Sequence, residues 1–212
     1  MGFEYLGLLF IVSLVLCLVG FYKYSYFTSV GYGFAVAGIG ISLIMLCLMK
    51  QFRAETPHYI MFALLVIYGF CKAWFLLIRD KNLAELQALK ETMAKEKKIS
   101  IVTKVVAWLL VSVLYVVQAS PLFFSVKNGG FASGWTIVGI IISVIGVLAA
   151  IVGDLLVRRL SPLGEMLFWT GVLVSSLDAL QGFGQWALAL IGYLYIGFFI
   201  FNKVKRSGLS AK

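Results

Sequence analysis

Ionisable side chains are scarce in this chain, and they are absent from long stretches of it. Only 13% of its 212 residues are Asp, Glu, Lys or Arg, while 62% are hydrophobic. A soluble domain carries about 25% charged residues, so a water-soluble fold of any size is excluded. The mean hydropathy of +1.01 places most of the surface against lipid. Histidine occurs once, at His58, and cysteine three times, at Cys17, Cys47 and Cys71, each inside an apolar run and none in a CxxC spacing. That excludes a disulfide framework and gives no ligand set for a metal site. No basic region precedes the first apolar run and no small-residue cleavage pattern follows it, so this run is expected to be a retained span and not a removed signal.

What remains is a series of apolar runs separated by short polar connections. At about 20 residues per crossing, the length allows roughly six to eight spans. The expected fold is an all-α polytopic membrane helix bundle of about seven transmembrane helices, forming a single transmembrane domain over residues 1–212. The runs fall at about Glu4–Phe21, Gly31–Met49, His58–Ile78, Ile101–Gln118, Gly134–Asp154, Leu163–Leu177 and Trp186–Phe201. The fourth is expected to stop at Ala119-Ser120-Pro121. Segment 80–98 reads as an amphipathic connector on the membrane surface, and 203–212 as a short basic tail. Gly31, Gly33, Gly38 and Gly40, with Ala35 and Ala37, mark the second run for close contact with another helix. No strand precedes these glycines and no phosphate-loop lysine follows them, so they do not read as a nucleotide cradle.

The net charge of +9 is distributed by topology. Lys23, the connection Arg79–Lys104, Arg158, Arg159 and the tail fall on one side of a seven-span arrangement. Only Lys50, Arg53 and Lys127 fall on the other. By the positive-inside rule the C-terminus is expected on the cytoplasmic or matrix side and the N-terminus outside. The basic residues thus serve orientation and lipid contact, and nucleic acid is not an expected partner. Two ionisable residues stand apart. His58 is read as an interfacial residue, with a proton shuttle as the alternative. Lys72 lies well inside the third run and either faces a polar interior or snorkels to the surface.

The densest chemistry lies in Ile151–Gly171, where Asp154, Arg158, Arg159, a Ser161-Pro162 break and Glu165 separate two apolar runs. Gly146, Gly153, Asp154, Arg158 and Arg159, followed by Gly164, Glu165, Trp169 and Gly171, resemble the C-terminal domain of the steroid 5-alpha-reductase family. Tyr68, Phe75, Arg79 and Ser120-Pro121 agree with that resemblance. It implies a helix bundle holding NADPH from the cytoplasmic side and delivering hydride to an activated lipid double bond. Asp154, Arg158 and Arg159 would then bind the cofactor, and Glu165 would be the catalytic acid.

This chain departs from that pattern. Only nine residues separate Asp154 from Gly164, where the family usually carries a longer loop containing His and Tyr. Two readings follow. In one, the fold is retained, no cofactor is bound, and the protein is a catalytically degenerate accessory subunit packed among membrane lipids and other membrane subunits; the two acids and two arginines are then an interfacial charge network. In the other, it is an NADPH-dependent reductase of a sterol, isoprenoid or fatty enone. A mitochondrial inner membrane, the endoplasmic reticulum and a bacterial inner membrane all fit the composition.

Overall fold

The computed structural model describes the backbone of residues 3–81, 100–129, 131–156 and 160–209, and the side chains in those ranges except 3, 79–81 and 203–209. Among the described residues the chain is helical throughout, with no strand. The helices are α1 (Phe3–Leu16), α2 (Val30–Leu48), α3 (Thr56–Lys81), α4 (Ile101–Lys127), α5 (Gly134–Leu155), α6 (Leu160–Val174) and α7 (Gly182–Leu209), with 3-10 turns at Cys17–Phe21, Tyr24–Phe27 and Leu177–Ala179. Among the described residues six stretches, falling in every helix but α6, are long and apolar enough to cross a membrane, and the protein is a polytopic helical membrane protein. At 15 residues α6 spans about 22 Å, less than the ~30 Å hydrocarbon core. The expected connector helix falls largely on 82–99, outside the described residues.

The chain divides into two compact units, residues 1–42 with 65–116, and residues 43–64 with 117–212. In the first, α2 and α3 meet through matched small residues. A Cβ on Gly33 would lie 2.6 Å from the nitrogen of Ala73, and one on Gly69 would lie 2.6 Å from the nitrogen of Ala37. Each helix thus presents a Gly-xxx-Ala pair to the other, which lets the backbones touch where no hydrophobic effect drives them together. Beside this crossing lies a polar interior. Tyr68 and Tyr115 are buried, the Tyr32 and Tyr68 hydroxyls are 3.2 Å apart, and the Tyr115 hydroxyl donates to the Phe27 carbonyl at 2.6 Å. Lys72 is only 4% exposed, so its ammonium lies within the protein and does not snorkel. Lys23 is also buried, with Nζ 5.1 Å from the centre of the Tyr26 ring.

In the second unit α4 continues past its expected end. Pro121 has no N–H for the carbonyl of Val117, but the hydroxyl of Ser120 donates to that carbonyl at 2.7 Å. The helix therefore runs on to Lys127 and buries Phe123 and Phe124. α5 starts on a capping box: Ser133 Oγ accepts from the backbone N–H of Thr136 at 3.3 Å, and Thr136 Oγ1 accepts from that of Ser133 at 3.1 Å. At the start of α3, the backbone N–H of Glu55 donates to Nδ1 of His58 at 3.3 Å. Glu55 Oε2 accepts from the backbone N–H of Ala132 at 3.0 Å. The histidine thus does the work a Glu or Gln does three residues into a capped helix.

Candidate functional site

The site singled out by sequence lies on the hairpin of α5 and α6, and that hairpin is built from small residues. On α5, Thr136, Gly139, Ser143, Gly146, Ala150 and Gly153 recur at alternating spacings of three and four, and all are buried. On α6 and just past its end, Ser161, Gly164, Phe168, Gly171 and Ser175 follow the same spacing. An average of 3.5 residues keeps each set facing its partner along the full contact. Gly139 meets Gly171 and Ser175, Gly146 meets Phe168, Ala150 meets Gly164, and Gly153 meets Ser161, with no room for a Cβ at any of the glycines. Hydroxyls reinforce the seam: Ser143 Oγ donates to the Phe168 carbonyl at 3.2 Å, and Thr136 Oγ1 to that of Ser175 at 3.3 Å.

The opposite face of α5 carries Ile137, Ile141, Ile145, Leu148 and Val152, all exposed. A helix that buries glycine and serine and exposes isoleucine inverts the pattern of a soluble protein. It is stable only where the outer medium is itself apolar.

The two acids flank this seam. Asp154 follows Gly153 in the last turn of α5 and is half-buried, and Glu165 follows Gly164 and is 6% exposed. Since Gly153 is level with Ser161, and Gly164 with Ala150, the acids stand at levels about one and a half helical turns apart, roughly 7.5 Å along the axis. Each interacts with other groups of the chain. Ser161-Pro162 does not break the structure. α6 begins at Leu160, so Pro162 occupies its first turn, where a missing N–H removes no helical bond, and Glu165 falls in the second turn instead of opening the helix. Arg158 and Arg159 lie outside the described residues.

The described side chains therefore supply two carboxyl groups, which repel rather than hold the phosphates of a dinucleotide. No group of three or more His, Cys, Asp or Glu suited to a metal occurs among the described residues.

Sequence reasoning used Gly146, Gly153, Gly164 and Gly171 as elements of a resemblance, and took the glycines of the fifth run to suit packing among other helices, without pairing them with α6. Their alternation of three and four, shared with Thr136, Ser143, Ala150 and Ser175, was the signal that they form a packing seam.

Residues 29–160 match the model of a family described as "Protein of unknown function (DUF1295)". The match covers α2 to α5 and reaches Asp154; Glu165 falls after it. No curated protein and no solved structure matches the chain.

Proposed function

The chain belongs to the DUF1295 family, and from that premise we propose that it is a reductase-like membrane protein without catalytic activity, serving as an accessory subunit of a larger membrane assembly. The observation that carries this reading is the approach of Gly153 to the backbone of Ser161. Beside the two acids the helices meet backbone to backbone, and 155–163 is the only chain between Asp154 and Gly164. In the steroid 5-alpha-reductase family that this chain resembles, a longer loop at this point helps enclose a nucleotide. A fold can persist after its chemistry is lost. In this reading seven helices cross the membrane, with the C-terminus on the cytoplasmic or matrix side.

The test is removal of the protein from its own membrane. Loss of one defined assembly, restored by both the wild-type chain and Glu165→Gln, supports the reading. Assemblies that stay at normal abundance without the chain contradict it.

A second reading is favoured by the burial of Glu165. A carboxyl group 6% exposed within an apolar helix is costly in a membrane and marks function more often than packing. In this reading the protein reduces a double bond in a sterol, isoprenoid or fatty enone, and the buried lipid is shielded from water. NADPH would supply the hydride. Arg158 and Arg159 would have to provide its counter-charge, since the described acids do not. Glu165→Gln would then abolish turnover at unchanged protein abundance, and full turnover by this variant would remove Glu165 from the mechanism.

A further inference from the structure

Two neighbouring cavities in the second unit lie well away in sequence from the acid pair, at the loops that precede α3, α5 and α7. The smaller, about 240 Å³, is lined by His58, Ser125, Asn128, Ser175, Asp178 and Gln181, among others. The larger, about 510 Å³, is lined by Lys50, Arg53, Glu55 and Tyr59 with neighbouring residues, and Gly129 and Phe131 are common to both.

The hydrogen bonds of the smaller cavity leave it rich in acceptors. Both N–H bonds of Asn128 Nδ2 are used, to the Ala179 carbonyl and to Gln185 Oε1, each at 2.7 Å. Gln185 Oε1 also accepts from the backbone N–H of Gln181 at 2.8 Å, which fixes it as oxygen. Asn128 must therefore keep its nitrogen on these partners and its own Oδ1 available. Ser125 and Ser175 donate to the carbonyls of Leu122 and Val172, leaving their lone pairs available. The Asp178 carboxylate has no hydrogen bond or ion pair with any described residue.

One strong donor faces these acceptors. His58 is 2% exposed, and among the described residues its only side-chain hydrogen bond is the one that Nδ1 accepts. The ring proton is therefore on Nε2, with no partner among the described residues.

The larger cavity carries the opposite charge. Lys50 and Arg53 form no ion pair with any described residue, and Glu55 already accepts one hydrogen bond from Ala132. Lys50 holds a left-handed conformation, φ 57°, at the end of α2. There its N–H donates to the Cys47 carbonyl and that of Gln51 to the Leu46 carbonyl, each at 3.0 Å. This is the position at which helices favour glycine.

We propose that the paired cavities bind a small zwitterion, a primary ammonium joined by a few bonds to a phosphate. The ammonium sits among Asp178, Asn128 and the serines, and the phosphate lies toward Lys50 and Arg53. His58 Nε2–H donates to an oxygen of the linking chain. Phosphoethanolamine carries this chemistry, as a free solute and as a lipid headgroup.

The test uses the full chain in detergent, titrated calorimetrically with ethanolamine, phosphoethanolamine and phosphocholine, and the chain in nanodiscs of phosphatidylethanolamine or phosphatidylcholine, read by lipid retained in native mass spectrometry. Phosphoethanolamine is expected to bind about tenfold or more tightly than phosphocholine, whose quaternary ammonium donates no hydrogen bond. Asp178→Asn is expected to lose about tenfold for both primary amines. The pair Lys50→Ala and Arg53→Ala is expected to reduce phosphoethanolamine binding to the level of ethanolamine.

Asp178 is exposed and holds no structural partner among the described residues, so its variant should melt with the wild type. Retention of phosphatidylethanolamine over phosphatidylcholine, abolished by Asp178→Asn, with no binding of free solutes, assigns the site to the lipid. Equal binding of all three solutes together with equal retention of both lipids overturns the proposal, as does unchanged affinity in Asp178→Asn.

Discussion

Gly153 of α5 lies against the backbone of Ser161 of α6 so closely that a single methyl group has no place between them. The obstacle is main chain and not the end of a flexible side chain, so it cannot move aside without shifting a helix. Gly153→Val and Gly164→Val are expected to destabilise the protein by about 2–3 kcal/mol each, the upper range for forcing bulk into a packed interior. Gly197, whose Cβ would meet nothing within 4 Å, provides the control. Gly197→Ala should be neutral or slightly stabilising, as alanine favours helix over glycine. Thermal melting in detergent reads both, and unaltered melting of the valine variants would show that the seam is not under compression.

The capping box at the start of α5 gives an independent measure of that helix. Ser133→Ala removes the acceptor for the Thr136 N–H and is expected to cost about 1 kcal/mol, with Ser133→Asp restoring most of it. Equal melting of wild type and Ser133→Ala would mean that water replaces the cap without loss.

Lys72 and Lys23 are inside the protein, whereas Lys50 is exposed. An amine-reactive label applied to the protein in a bilayer is expected to modify Lys50 and to leave Lys72 and Lys23 unmodified until the chain is denatured. Peptide mass spectrometry before and after denaturation gives the comparison. Labelling of Lys72 at the rate of Lys50 would place its amine at the surface.

Orientation can be read with introduced thiols, because Cys17 and Cys47 are buried and Cys71 partly so. Gln51→Cys and Ser207→Cys are expected to react with a membrane-impermeant reagent from opposite sides, with 207 on the side that holds most of the basic residues. Reaction of both from one side would contradict the seven-crossing arrangement.

Much of the helical layout was legible in the sequence, because apolar runs of membrane length leave little choice of structure. α5 was placed within a residue at each end, since a polar turn precedes Ser133 and charge follows Asp154. α4 was cut short at Pro121 because counting a lost donor overlooks the Ser120 hydroxyl one position earlier, which serves the same carbonyl. The same bias made a break of Ser161-Pro162, where the first turn of α6 has no use for the missing N–H. Lys72 could be placed in the apolar run but not on a face, because both an interior and a snorkelling lysine satisfy the same spacing.

The paired cavities were not legible at all. His58 at the start of α3, Asn128 after α4 and Asp178 in the 3-10 turn before α7 are separated by about 50 to 70 residues, and although His58 stood out as the one histidine, nothing in the sequence joined it to the other two. The acids Asp154 and Glu165 were found on the α5–α6 hairpin as the spacing suggested, whereas the seam that holds them together is made of residues with no chemistry of their own.

The central claim, that the fold has been kept as structure, is tested most directly by native mass spectrometry of the protein released from its own membrane in mild detergent. The account predicts one defined assembly containing this chain with other membrane subunits and no nicotinamide nucleotide. A monomer or dimer of the chain carrying a nicotinamide nucleotide would contradict it and establish that the short connection between α5 and α6 still builds a cofactor site.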